Sequence, residues 1–111
     1  MPTPNGVQLE GLTAVVTGSS SGIGRAIAME LASGGAHVLV HARTNHQGAD
    51  DVADRVRGLG RQSHVIMADL GDADVPKWLV EQAWSWQGSV DIWVNNAGAD
   101  VLTGEAAGWP F

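Results

Sequence analysis

Short apolar runs alternate with longer segments of helical periodicity along most of the chain, and this alternation constrains the fold more than any other feature. Leu12–Thr17 is rich in β-branched residues and is closed by Gly18 and three serines, the pattern of a buried strand. Ile23, Ala26, Ile27, Ala28, Leu31 and Ala32 then recur at helical spacing, with Arg25 and Glu30 between them and Gly34-Gly35 as a stop. Val38–Val40, with Ala36 and Ala42 around it, predicts a second strand. Val52, Val56 and Leu59 mark one face of a second helix, in which Asp50, Asp51 and Asp54 precede Arg55 and Arg57 in the order a helix dipole favours. His64–Ala68 reads as a third strand ending at Asp69. A third helix follows from about Ala73 to Gln87, with Pro76 in its first turn and Val75, Leu79, Ala83 and Trp86 on one side. Val90–Val94 is a fourth strand ending at Asn95-Asn96, and residues 99–111 read as loop.

Strands that alternate with helices must pair in parallel through right-handed crossovers, because each helix covers a sheet face before the chain returns. The expected class is therefore α/β, a parallel sheet with helices on both faces in the order β-α-β-α-β-α-β. The 111 residues are 44% hydrophobic and 16% charged, a composition that folds. Six Lys and Arg against twelve Asp and Glu give a net charge of -6, which argues against a general basic surface for nucleic acid or anionic membranes. No aromatic is interleaved with basic residues as in a nucleic-acid platform. The chain has no Cys, so it has no disulfide, thiolate metal site or Cys nucleophile. No apolar run reaches the length of a membrane span, and Met1–Gly6 lacks the features of a signal peptide. The resulting expectation is a cytoplasmic protein.

The sharpest local motif is Thr17-Gly18-Ser19-Ser20-Ser21-Gly22-Ile23-Gly24, between the first strand and the first helix. Glycines there permit a tight turn, close approach of the backbone to a pyrophosphate, and close packing of helix on sheet. The helix N-terminus adds free N–H groups and a positive dipole end. The spacing is Gly-x3-Gly-x-Gly, not Gly-x-Gly-x-x-Gly, and no Gly-Lys-Ser/Thr ending of a P-loop is present. A dinucleotide is the natural ligand. An S-adenosyl cofactor or a purely connecting turn are the other readings of the motif by itself.

Together with Asp69-Leu70 after the third strand and Asn95-Asn96-Ala97-Gly98 after the fourth, the turn strongly resembles the classical short-chain dehydrogenase/reductase family, from about Leu9 to Gly98. The resemblance implies a Rossmann-type sheet in the order 3-2-1-4. It places Gly18, Ser20, Ser21, Gly22, Ile23 and Gly24 along a pyrophosphate and its ribose. It further implies that Asp69 accepts from the adenine amino group, that Leu70 offers its N–H, and that Asn96, Ala97 and Gly98 border the adenosine, with Asn95 mainly structural. At the end of the second strand an acid would bond the 2′-hydroxyl of NAD, whereas an Arg accommodates the 2′-phosphate of NADP. His41-Ala42-Arg43-Thr44-Asn45 stands there, without a carboxylate, and Arg43 can meet the phosphate bidentately. NADP is expected over NAD. Ser21 occupies a position where many NADP-binding members carry a basic residue.

Hydride transfer in this family depends on a Ser, a Tyr and a Lys four residues after the Tyr. This chain has no Tyr, and Lys77, its one Lys, precedes the fourth strand. The expectation is thus the cofactor-binding half of an oxidoreductase acting on a carbonyl/alcohol pair, similar to 3-oxoacyl-carrier-protein reductases, sugar dehydrogenases or steroid-like alcohol dehydrogenases. The 111 residues alone would be inactive, and the whole protein would be a homo-oligomer like most members. On this reading 1–98 is the cofactor-binding unit and 99–111 an interrupted loop, and the apolar Val90–Val94 edge, without Pro or Lys, calls for cover. The competing reading is a noncatalytic nucleotide-binding or interaction module that pairs through that edge. His37, His41, His46 and His64 lack metal-ligand spacing and read as strand or loop residues, with His41 near the adenine ribose. The Asp50-Asp51-Asp54 and Asp72-Asp74 groups read as solvated helix-start charge. Trp86 and Trp93 fit core positions, while Trp78, Trp84 and Trp109 would cover surface buried elsewhere.

Overall fold

Side chains alternate between the faces of a strand, so a run that is apolar at successive positions must be covered on both sides. In the computed structural model, which describes residues 7–97, β1 (Thr13–Val16) is buried at every position and lies inside the sheet. It is followed by α1 (Gly22–Ser33), β2 (His37–Ala42), α2 (His46–Gly58), β3 (Ser63–Met67), α3 (Val75–Gln87) and β4 (Ile92–Val94). The strands are ordered β3-β2-β1-β4 and all pair in parallel, with Val15 opposite both Leu39 and Trp93 and His41 opposite Ile66. The sequence-derived class and strand order are the ones observed.

The two faces use alternate residues of the same strands. Val16, Val38, Val40 and Ala42 pack under Ala28 and Ala32 of α1 and Ala49, Val52, Ala53 and Val56 of α2. The opposite face, Val15, Leu39 and Ile66, packs under Leu79 and Ala83 of α3, with Trp86 and Trp93 against it as their spacing predicts. Alanines on the inner helix faces bring the helix backbones close to the sheet, and fully burying a Val or Leu contributes about 1.5–3 kcal/mol. Asp91 fixes where β4 begins: its N–H donates to the Thr13 carbonyl at 2.8 Å and its carboxylate accepts from the Thr13 N–H at 2.8 Å.

Several expectations change. Ile23 and Ala26 face outward on α1, whose inner stripe is Gly24, Ala28 and Ala32. Leu59 is exposed because it caps the end of α2 instead of continuing its buried face. No acid lies in the first turn of α2, so its aspartates act mainly as side-chain partners and not on the helix dipole. Asp51 meets Arg55 at 3.1 Å and Arg25 of α1 at 3.3 Å, while Asp54 meets Arg57 at 3.2 Å. Exposed pairs of this kind contribute only about 0.2–1 kcal/mol each. The third helix starts at Val75, later than the periodicity suggests, because Asp72–Asp74 still belong to the turn before it. Trp78 and Trp84 are exposed on α3, and Trp109 lies outside the described residues, as does the loop expected over 99–111.

The start of α2 is held by Asn45, whose side-chain oxygen accepts from the Gly48 N–H at 3.1 Å. Asn45→Ala removes this cap and is expected to lower the unfolding free energy by about 1 kcal/mol, measured by urea denaturation. An unchanged midpoint would show that the first turn of α2 is held by other contacts.

Candidate functional site

In a parallel sheet the loops after the strands all emerge on one edge, and the best crevice lies where the chain reverses its direction of strand addition. Here the chain runs from β1 outward through β2 and β3, then returns to place β4 on the other side of β1. The reversal therefore falls beside the turn that joins β1 to α1. Arg43 follows β2, Asp69 follows β3 and Asn96 follows β4, so the topology brings the ends that carry the sequence motifs to one edge.

The turn is anchored from both flanks. On the β4 side, the Thr17 hydroxyl donates to the Val94 carbonyl at 3.3 Å and accepts from the N–H groups of Asn96 and Ala97 at 2.9 and 3.1 Å. The Asn96 side-chain amide donates to the Gly18 carbonyl at 3.0 Å. On the β2 side, the Ser19 N–H donates to the His41 carbonyl at 2.9 Å, and the His41 N–H donates back to the Ser19 hydroxyl at 3.1 Å. The His41 ring spans the gap to the third strand. Its Nδ1 accepts from the Gly18 N–H at 3.0 Å, which leaves the ring proton on Nε2 to donate to the Ala68 carbonyl at 2.8 Å.

Beyond these anchors the turn presents an open backbone. Ser21, the residue before α1, is exposed and its hydroxyl makes no capping bond. Gly22 has φ +59, and a Cβ placed on it would meet nothing within 4 Å. Ile23 is 70% exposed. The first N–H groups of a helix have no partner within it, and at α1 they carry the positive end of the dipole. This backbone cradle, with hydroxyl donors beside it, fits the pyrophosphate of a dinucleotide.

The remaining predicted residues are placed as follows. Arg43 is exposed and forms no salt bridge among the described residues. Asp69 is exposed, with one oxygen accepting from the Gly71 N–H at 2.8 Å in a local turn. Leu70 is half-buried against the α3 side of the core. Asn96 is 8% exposed with its amide committed to the glycine turn, whereas Asn95, expected to be structural, is exposed and accepts from the Trp93 indole at 2.7 Å. Gly98 lies outside the described residues. Sequence reasoning did not single out Thr17, Ser19 or the ring of His41 as anchors. Their one sequence signal is a polar residue at the end of an apolar strand or inside its turn.

The sequence pattern of the short chain dehydrogenase family matches residues 12–107. The chain belongs to that family. A short-chain dehydrogenase/reductase, FrzI, from Cladobotryum sp is 48% identical over 85 residues, covering 77% of this chain and 33% of its own. The 3-oxoacyl-[acyl-carrier-protein] reductase FabG of Staphylococcus aureus is 41% identical over 86 residues, covering 78% of this chain and 35% of its own. Among solved structures, a short chain dehydrogenase from Burkholderia cenocepacia in complex with NADP superposes with a TM-score of 0.77 at 38% identity, over 79% of this chain and 36% of that one. The chain spans about a third of the length of the relatives it matches. The short chain dehydrogenases are oxidoreductases, and the fold and motif order of this chain are theirs.

Proposed function

We propose that residues 1–98 form the NADP-binding part of a short-chain oxidoreductase acting on a carbonyl/alcohol pair. The observation that carries the reading is the end of β2: Arg43 stands exposed on the same sheet edge as the glycine turn, and no carboxylate stands in His41–Asn45. An acid there would repel a 2′-phosphate, whereas a guanidinium offers it two parallel donors. The NADP carried by the Burkholderia cenocepacia relative supports the same choice.

On this reading Gly18, Ser20, Ser21, Gly22, Ile23 and Gly24 receive the pyrophosphate and adjoining ribose, and Arg43 receives the 2′-phosphate. Asp69 and Leu70 meet the adenine, and Asn96, Ala97 and Gly98 border the adenosine. When bound, the dinucleotide supplies or accepts a hydride. The residues of this chain bind and orient it, and they contain no Tyr to exchange the substrate proton. Turnover therefore needs residues other than these 111. Membership of the family supports a carbonyl/alcohol pair as the substrate class, and reduction of a 3-oxoacyl thioester is one reaction that fits it. The acidic, Cys-free composition suits a cytoplasmic protein.

The test is a comparison of two dinucleotides. Arg43→Ala is expected to weaken NADPH binding roughly 10- to 100-fold, the value of one or two charge-assisted hydrogen bonds, and to change NADH binding less than about 2-fold. Equal effects on both, read by nucleotide fluorescence, would remove Arg43 from the 2′-phosphate site.

A further inference from the structure

His41 is the one ionisable side chain among the described residues that is buried, at 2% exposed. It lies opposite Ile66 in the β2–β3 pairing and is not one of the residues proposed above to touch the ligand. Both ring nitrogens are committed to backbone: Nδ1 to the Gly18 N–H and Nε2 to the Ala68 carbonyl, the residue before Asp69. We infer that His41, as its neutral Nε2–H tautomer, is a positioning residue that holds the glycine turn and the Asp69 end of β3 in one arrangement, and that protonation of Nδ1 releases the turn and with it the dinucleotide. The inference rests on the dinucleotide reading of the turn.

Protonation removes the one ring acceptor that the Gly18 N–H uses. An imidazolium has two N–H donors and no acceptor, so at 3.0 Å from the Gly18 nitrogen it sets donor against donor. The Gly18 N–H must then find another partner or move. The parallel pairing of β2 with β1 and β3 does not involve the ring, so the sheet stays paired, while the Gly18 N–H loses its acceptor and the turn keeps only the Ser19–His41 and Asn96–Gly18 bonds. Gly18 is the first residue of the phosphate cradle, so its displacement acts directly on the proposed site.

The surroundings favour the neutral form at ordinary pH. Burial holds the His41 ring below the usual histidine value of 6.5, with the Ala68 hydrogen bond acting in the other direction. The glycine turn brings no ionisable side chain between Gly18 and Gly24. The charged groups that flank the ring's ends are Arg43, two residues after His41, and Asp69, next to Ala68, both exposed. Arg25 of α1 is paired with Asp51, and Lys77 and Glu81 of α3 are exposed. The unfolded chain takes up this proton near 6.5 and the native chain only at lower pH. Stability is thus insensitive to His41 above 6.5 and falls as pH drops from there toward the native titration point. Binding has the same sign, because the competent turn needs the neutral ring.

The decisive measurement follows NADP+ affinity of the 111-residue chain and of His41→Gln from pH 8 to pH 5, with NMR of the Gly18 amide and the His41 ring on the same samples. Glutamine keeps one acceptor and one donor and cannot take the proton. The ligand's own 2′-phosphate titrates near 6 in both proteins, so the ratio of their affinities isolates the ring. The expected ratio is constant above the His41 titration point. Below it the wild type loses about tenfold more per pH unit, and the Gly18 amide shifts in step with the ring. Parallel profiles for the two proteins, or a Gly18 amide that ignores the titration, would overturn the inference while leaving the dinucleotide site intact. A folded wild type that binds no NADP+ at pH 8 overturns the dinucleotide reading itself, and the two failures are thereby distinct. Should His41→Gln not fold, the wild-type profile set against the Gly18 titration still decides.

Discussion

A valine at position 22 is expected to abolish dinucleotide binding while the sheet remains folded. Gly22 has φ +59, a conformation that costs a β-branched residue about 1–3 kcal/mol, so some loss of stability follows from the backbone alone. A Cβ at this position meets nothing within 4 Å, so the substitution introduces no clash at Cβ. It stands instead at the start of α1, where the proposed pyrophosphate must approach the helix N–H groups. Gly22→Val is expected to weaken NADPH binding at least about 100-fold, or about 2.7 kcal/mol, with a lower but still cooperative thermal transition. Binding within about threefold of wild type would show that the phosphates do not use this end of α1.

Gly24→Ala is expected to act on the fold as strongly as Gly22→Val acts on binding, for a different reason. Gly24 has an ordinary helical backbone, and on an open helix face an alanine there would add about 1 kcal/mol of stability. Its Cβ, however, would overlap the Gly18 carbonyl oxygen and the Asn96 amide, and would sit 2.9 Å from the Gly18 carbonyl carbon. Backbone cannot swing aside as a flexible side chain would, and the Asn96–Gly18 bond is itself one of the anchors of the turn. Overpacking and the loss of that bond outweigh the gain in propensity and leave a net destabilisation of about 2 kcal/mol, with weakened NADPH binding besides. Gly58→Ala is the matched control: it lies at the end of α2 with nothing within 4 Å of its Cβ. Equal unfolding midpoints for the two alanine variants, by urea denaturation, would contradict the packing argument.

What the sequence made legible was periodic. Alternation of apolar runs with helical spacing is imposed by burial on two sheet faces, so strand order, helix sides and the position of the glycine turn could be read from the residues together with the family resemblance. Two kinds of feature could not. Ile23 sits in phase with the apolar positions of α1, yet it lies in the first turn at the sheet edge, where there is no core to receive it. Leu59 fails in the same way at the far end of α2. The anchoring network was hidden because it depends on contacts distant in sequence. His41 and Ala68 meet only through the β2–β3 register, and Thr17 and Asn96 meet only because β4 returns beside β1. Asn96 shows the consequence: its motif suggested a cofactor neighbour, and the structure has its amide holding Gly18.

The central claim is that this sheet edge binds NADP, and it is tested most directly by titrating NADPH into the 111-residue chain while following nucleotide fluorescence, with circular dichroism confirming the fold. Saturable one-to-one binding that is tighter for NADPH than for NADH is the predicted result. A folded chain that binds neither dinucleotide, or that prefers NADH, would contradict it.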